Sequence, residues 1–239
     1  MSIKNKRIWE LDAFRGLCII GVIFVHTIYD LQMFNMIESD MPMLYNIVKN
    51  YGGLLFVVLS GICVTLGRHS LKRGSIVFAC GLVITLVTYG MYHFGFAGKG
   101  IMIHFGVLHL LGICMMLYPL YKKLPAAVIG IIGLGIIFLS LYFDTIRSEA
   151  FWYVPLGIRP YGYVASDYFP LVPNLGWFMI GVVLGRTVYR KKESLFPSVP
   201  SDIAPIRALS FCGRHSLWIY MGHQPIVYGI IYLIYMNTQ

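Results

Sequence analysis

Apolar runs of membrane-spanning length recur along this chain, and nothing else in it limits the fold as strongly. A helix needs about 20 apolar residues to cross a hydrocarbon core. Seven segments meet that length: 12–33, 46–67, 75–95, 101–121, 125–143, 171–189 and 214–236. Gly52-Gly53 blurs the edges of the second run, and Pro170 and Pro173 those of the sixth. Charged residues are 12% of the 239 and hydrophobic ones 58%, whereas a soluble domain carries ~25% charge. The mean hydropathy is +0.72. The expected fold is an all-α, polytopic integral membrane helical bundle of about seven transmembrane helices. No hydrophilic stretch is long enough for a separate soluble domain, so residues 1–239 read as one transmembrane domain. The longest loop, 144–170, is rich in Tyr and Pro and is expected to pack over the bundle.

The formal net charge of +9 raises the question of nucleic acid, and the placement of the cations answers it. Lys4, Lys6, Arg7, Arg68, Lys72, Arg73, Lys122, Lys123, Arg186, Arg190, Lys191, Lys192, Arg207 and Arg214 fall on one side of a seven-span topology. The other side holds Lys49, Lys99, Arg147 and Arg159 among acids Asp30, Glu38, Asp40, Asp144, Glu149 and Asp167. Cytoplasmic loops collect Lys and Arg, so the first side is expected inside, with a cytoplasmic N-terminus in a cell (inner or plasma) membrane. The positive charge then faces anionic lipid headgroups or an anionic cytosolic ligand, not nucleic acid. The first apolar run continues into T-I-Y-D-L-Q-M-F without a small-residue cleavage pattern, so it reads as a span and not a cleaved signal. Cys18, Cys63, Cys80, Cys114 and Cys212 lack metal spacing and read as small core residues.

The first run carries groups that hydrocarbon disfavours: Asp12, Arg15, His26 and Asp30. Arg15 and His26 are 11 residues apart, about 1100° of helical rotation, so they share a face to within about 20° and stand about 16 Å apart along the axis. Asp12 lies one turn before Arg15 and Asp30 one turn after His26, and Gly16 and Gly21 leave room for close neighbours. Such a stripe must face the bundle interior or a wet cavity. Asp12 and Arg15 also fit a plain i,i+3 ion pair that anchors the helix. An imidazole ordinarily titrates near neutrality, which suits His26 to proton transfer, with Asp30 or Tyr29 orienting the ring. A core histidine bonded to a carbonyl is the simpler alternative.

R-I-W-E-L-D-A-F-R-G-L at 7–17 and F-V-H-T-I-Y-D-L at 24–31 resemble the opening of the heparan-α-glucosaminide N-acetyltransferase-like membrane proteins. F-G-V-L-H-L-L-G at 105–112, D-Y-F-P-L-V-P at 167–173 and G-R-H-S-L-W-I-Y-M-G-H-Q-P at 213–225 extend the resemblance over nearly the whole chain. The spacing of Arg15 and His26 also resembles the arginine–histidine motif of the wider bacterial acyltransferase-3 proteins. The resemblance implies a multi-spanning transferase that moves an acyl group, typically acetyl, from cytosolic acyl-CoA to a hydroxyl or amine reached from the opposite face. The acyltransferase-3 motif places a catalytic histidine at His26; the glucosaminide enzymes need not. The eukaryotic members have more helices and a luminal domain not expected here, so heparan itself is not implied as acceptor.

Acyl transfer needs cations for the CoA phosphates, a base for the acceptor, and donors for the developing oxyanion. Arg15, Arg68, Arg186 and Arg214, with Asp12 beside Arg15, are the candidates for the acetyl-CoA side, since a guanidinium grips phosphate with a planar fork. Ordinary positive-inside residues give the same pattern. His26, Asp30, His109 and His223 are the catalytic candidates, with His104, Asp167, Tyr168 and Asn174 toward a glycan or amino-sugar acceptor. His26 could meet His104 or His109 across the helices. Three histidines invite zinc, but no H-x-x-x-H or C-x-x-C spacing supports a metal, and none is expected. In the last run Pro225 removes a backbone donor and frees the Met221 carbonyl, which kinks a helix around a polar site or merely gives His223 a partner. Gly181-x-x-x-Gly185 and Gly130, Gly133 and Gly135 read as helix-packing positions. A serine acyl-enzyme is disfavoured because no G-x-S-x-G elbow exists; direct transfer with His26 as base, or a transient acyl-His26, remain open. The alternative function is a proton-coupled transporter of a small polar or anionic solute, since intramembrane ionisable groups serve carriers too. The H-Q-P break has no partner in the first half, as a carrier's paired repeats require. A scaffold without turnover and a homodimer are both compatible with the sequence.

Overall fold

The computed structural model describes residues 8–37, 41–96 and 98–238. Lys4, Lys6, Arg7, Glu38 and Asp40, part of the charge argument, lie outside the described residues. Among the described residues eight α-helices form: α1 (Trp9–Met33), α2 (Met43–Leu66), α3 (Ser70–His93), α4 (Val107–Tyr121), α5 (Ala126–Phe143), α6 (Leu171–Thr187), α7 (Ala204–Arg214) and α8 (Ser216–Thr238). Short 3₁₀ turns at Lys99–Ile101 and Phe151–Leu156 punctuate the connections. Among the described residues no strand forms beyond one bridge pairing Arg147 with Arg159.

Five helices, α1, α2, α3, α5 and α8, are long and apolar enough to cross a membrane. The 25 residues of α1 span about 37 Å, more than the ~30 Å hydrocarbon core. Apolar α4 and α6 are shorter, at 15 and 17 residues. The chain is a multi-pass membrane protein, and its many exposed Leu, Ile and Phe side chains are those that lipid solvates. All seven apolar runs become helices. The fourth starts at Val107 and not at 101, because Gly106 and Val107 are held by side chains of His109 and Asp167. The eighth helix, α7, lies in a polar stretch where the hydropathy pattern gives no signal.

Two compact units divide the chain. The first comprises residues 1–56 and 191–239, the second residues 57–190, so α2 contributes its first half to one and its second half to the other. In the first unit α1 packs against α7 and α8. The α1–α7 crossing is made by glycine: a Cβ on Gly16 would strike the Leu209 carbonyl, and one on Gly213 the Asp12 carbonyl. Glu10 fastens the following segment, accepting from the Ser194 hydroxyl and the Leu195 backbone N–H, both at 2.8 Å. Gly21 meets the Val48 side chain.

In the second unit α3 packs on α4 and α5 on α6. Gly61 of α2 and Gly181 of α6 bring two backbones together, since a Cβ on either would strike a carbonyl of the other helix. Gly185 sits against Ile62 and Thr65, and Gly133 against the Gly176 carbonyl; Gly135 has no such neighbour. Small residues at crossings let van der Waals contact hold helices that gain no hydrophobic drive in lipid.

A Gly16→Val substitution is expected to lower stability by about 1–3 kcal/mol or more through overpacking of the α1–α7 crossing. Gly135→Ala, with open space around it, is expected to leave stability within about 0.5 kcal/mol. Thermal unfolding of both variants in detergent checks the contrast; equal melting would contradict the crossing.

Candidate active site

The polar stripe of α1 finds its partners on α8. The ring of His26 meets the edge of His223, with centroids 5.2 Å apart and planes inclined by 63°. His223 is buried, and its Nδ1 lies 2.7 Å from the Tyr220 carbonyl oxygen. A carbonyl only accepts, so Nδ1 carries a proton directed at it. One turn deeper on α1, Asp30 is 1% exposed. Gln224 donates its Nε2 to both carboxylate oxygens of Asp30, each at 3.0 Å. The Gln224 Oε1 is buried without a hydrogen-bond partner among the described residues. The orientation expected of Asp30 toward His26 is therefore not the contact formed: no hydrogen bond joins the two among the described residues, and Gln224 takes the carboxylate.

The H-Q-P segment thus places two contacts to α1 on consecutive residues, His223 against His26 and Gln224 against Asp30. The carbonyl that His223 uses is that of Tyr220, not the one Pro225 frees. At the other end of α1 the expected ion pair forms, Arg15 Nη1 standing 3.6 Å from Asp12 Oδ1. Arg214 ends α7, exposed, one residue past the Gly213 crossing with Asp12.

The remaining candidates lie in the second unit, where most are engaged structurally. His109 is 3% exposed. Its Nδ1 accepts from the Gly106 N–H at 3.2 Å, so its Nε2 carries the proton, and this faces the Thr85 hydroxyl oxygen at 3.2 Å. Thr85 in turn donates to the Ile103 carbonyl at 2.7 Å. Gly81 leaves just enough space for the ring. With both nitrogens committed, His109 caps α4 and ties it to α3; the geometry gives it no proton to exchange. Asp167, also buried, accepts from the Val107 N–H at 3.1 Å and caps the same helix N-terminus.

Asn174 donates to the Pro170 carbonyl at 2.7 Å and Tyr168 to the Val154 carbonyl at 2.8 Å. His104 Nδ1 lies 3.3 Å from the Tyr163 hydroxyl, and its ring lies edge-on to Phe151. Burial pushes the Tyr163 phenol up to about 12, against the nearby Arg159 cation. Burial likewise raises Tyr168, with Tyr163 adding to it and Arg159 opposing it. Tyr168 donates and Tyr163 pairs with His104, and these contacts hold the 144–170 loop. Arg186 donates to the backbone carbonyls of Lys122 and Leu124, so it closes the end of α4. Arg68, by contrast, is exposed at the rim of a cavity. Among the described residues no group of three or more His, Cys, Asp or Glu is placed to hold a metal.

Paired imidazoles lie beside a carboxamide-held carboxylate in an all-helical, multi-pass membrane protein. Comparison with known families then places it: residues 7–225 match the catalytic region of heparan-alpha-glucosaminide N-acetyltransferase, and the chain belongs to that family. Comparison with curated proteins and with solved structures yields no match. Family membership makes this an acyltransferase-type membrane protein and lends no support to the carrier reading.

Asp30 and Gln224 are expected to be coupled. A double-mutant cycle with Asp30→Leu and Gln224→Leu, read by thermal unfolding, is expected to give a coupling of about 1.5–3 kcal/mol, as for hydrogen bonds to charged groups. Additive losses would mean the contact does not form in the membrane.

Proposed function

We propose that the chain is an acetyltransferase that moves an acetyl group from cytosolic acetyl-CoA to a hydroxyl or amine of an extracytoplasmic glycan or amino-sugar acceptor. Family membership supports the reaction class. The observation that carries the reading to named residues is the contact of His26 with His223, two imidazoles from different helices meeting inside an apolar unit. Hydrocarbon excludes such groups unless function or pairing retains them. We read residues 1–239 as one domain with seven spans, a cytoplasmic N-terminus and residence in the cell membrane, on the strength of the cation distribution.

Acetyl-CoA supplies a thioester whose acyl carbon is already activated. His26 takes the proton of the acceptor as its oxygen or nitrogen attacks that carbon. The carbon–sulfur bond breaks as the new bond forms, and the proton passes from His26 to the departing thiolate. The His223 ring adjoins His26 and stands beside the charge that develops there. Asp30, fixed by Gln224, adds negative potential near the cation that develops on His26. In the two-step variant His26 itself carries the acetyl group and His223 deprotonates the acceptor afterwards. Arg68, exposed at a helix end, suits the donor phosphates; Arg15 and Arg186 serve as anchors, and Arg214 is exposed at the end of α7.

Purified protein in nanodiscs, given acetyl-CoA labelled in the acetyl group and a panel of amino sugars and glycans, tests the reading. Transfer is expected, and His26→Ala is expected to slow it by about 10²–10⁴-fold, the usual contribution of a general base. Undiminished transfer in that variant removes His26 from the mechanism. Failure of the protein to bind any acyl-CoA overturns the transferase reading itself.

A further inference from the structure

In the second unit the end of α2, the start of α3 and the end of α4 enclose a cavity of about 500 Å³. Its polar lining is Thr65, Arg68, His69, Ser70, Tyr118 and Lys122, with no acidic residue among the lining. Arg68 and Lys122 are the basic side chains of this lining. The α3 N-terminus opens here too: His69 caps it in a left-handed conformation (φ 57°, ψ 49°) and makes no side-chain capping hydrogen bond. The first N–H groups of a helix left without side-chain caps favour an anion.

The nearby helix C-terminus would ordinarily repel one. Carbonyls at the end of α4 carry partial negative charge, but those of Lys122 and Leu124 already accept from the Arg186 guanidinium. Arg186 thus offsets the partial negative charge at the end of α4 and fixes the backbone from which Lys122 projects. Gly67 lets Arg73 fold over the same turn, since a Cβ there would strike the Arg73 guanidinium. The volume exceeds that of a lone inorganic ion and falls in the range of small-molecule sites. Tyr118 adds an aromatic face beside the cations.

We propose that this cavity is a phosphate-recognition pocket that receives the phosphorylated nucleotide end of the acyl donor. Arg68 and Lys122 hold a phosphate dianion, and the α3 N-terminus and Ser70 supply further donors. The assignment rests on the acetyl-CoA reading above. Lipid phosphate has the same chemistry, so the test separates the two sources.

CoA and dephospho-CoA, which differ only in the ribose 3′-phosphate, are titrated into the full-length protein in phosphatidylcholine nanodiscs. The wild type is expected to prefer CoA by at least about 10-fold, one charge-assisted contact's worth of discrimination. The Arg68→Ala/Lys122→Ala variant is expected to reduce that ratio below about 3-fold, and Arg68→Lys to retain most of it. The readout is the ratio, so a variant that merely binds all nucleotides less well does not mimic the result. An unchanged ratio in the double variant, or a wild type that binds both nucleotides equally, overturns the pocket and leaves the donor reading standing. Absence of binding to either nucleotide overturns both. If anionic phosphatidylglycerol co-purifies with the wild type and is lost from the double variant while the CoA ratio is unchanged, the pocket holds a lipid and the nucleotide assignment falls.

Discussion

Hydrocarbon offers no partner to a polar side chain, so each polar group placed in a membrane helix must find one on a neighbouring helix or within its own. The stripe on α1 obeys that constraint at both ends. Asp12 and Arg15 satisfy one another within α1, while His26 and Asp30 turn to α8 for His223 and Gln224. The site is thus a consequence of where the apolar solvent forbids these residues to point. Because His223 and Gln224 are neighbours in sequence, a single helix register fixes both contacts. A rotation of α8 that loses one loses the other.

Such contacts require close helices, and glycine supplies the closeness. Gly16 and Gly213 let α1 and α7 cross backbone to backbone, and Gly61 and Gly181 do the same for α2 and α6. Glu10 ties the segment after residue 190 to the start of α1 through Ser194 and Leu195. In the second unit His109, Asp167, Thr85 and Thr88 play the analogous part, pinning α4 to α3 and to the loop before α6 through backbone hydrogen bonds. Buried polar groups of this kind specify one packing arrangement because leaving any of them unmade is costly.

The seven apolar helices and the orientation of the α1 stripe were legible in the sequence because both follow from period and length. What the sequence hid depends on partners far away along the chain. Asp30 and His26 are one turn apart, so local geometry points to a pair, yet Gln224 from 194 residues away holds the carboxylate. His109 looked like a catalytic base because its type is suggestive, whereas its role is set by Gly106 and Thr85. Asp167 reads as a ligand to an acceptor in the sequence but caps the N-terminus of α4, and Asn174 bonds back to the Pro170 carbonyl, contacts invisible without the backbone they meet. Helix α7 gives no hydropathy peak because its 11 residues are amphipathic. Glu10 gave no signal at all, as its partners lie in an irregular segment.

The central claim is that His26 and His223 act as one proton-handling unit. Residues that work together lose their effect together: removing the second costs little once the first is gone. The decisive measurement is kcat/KM for acetyl transfer in His26→Ala, His223→Ala and the double variant. A double variant no slower than the slower single, within about 3-fold, is the result expected of a unit. Losses that multiply across the two positions would show that the two rings act independently, and the contact between them would then be packing alone.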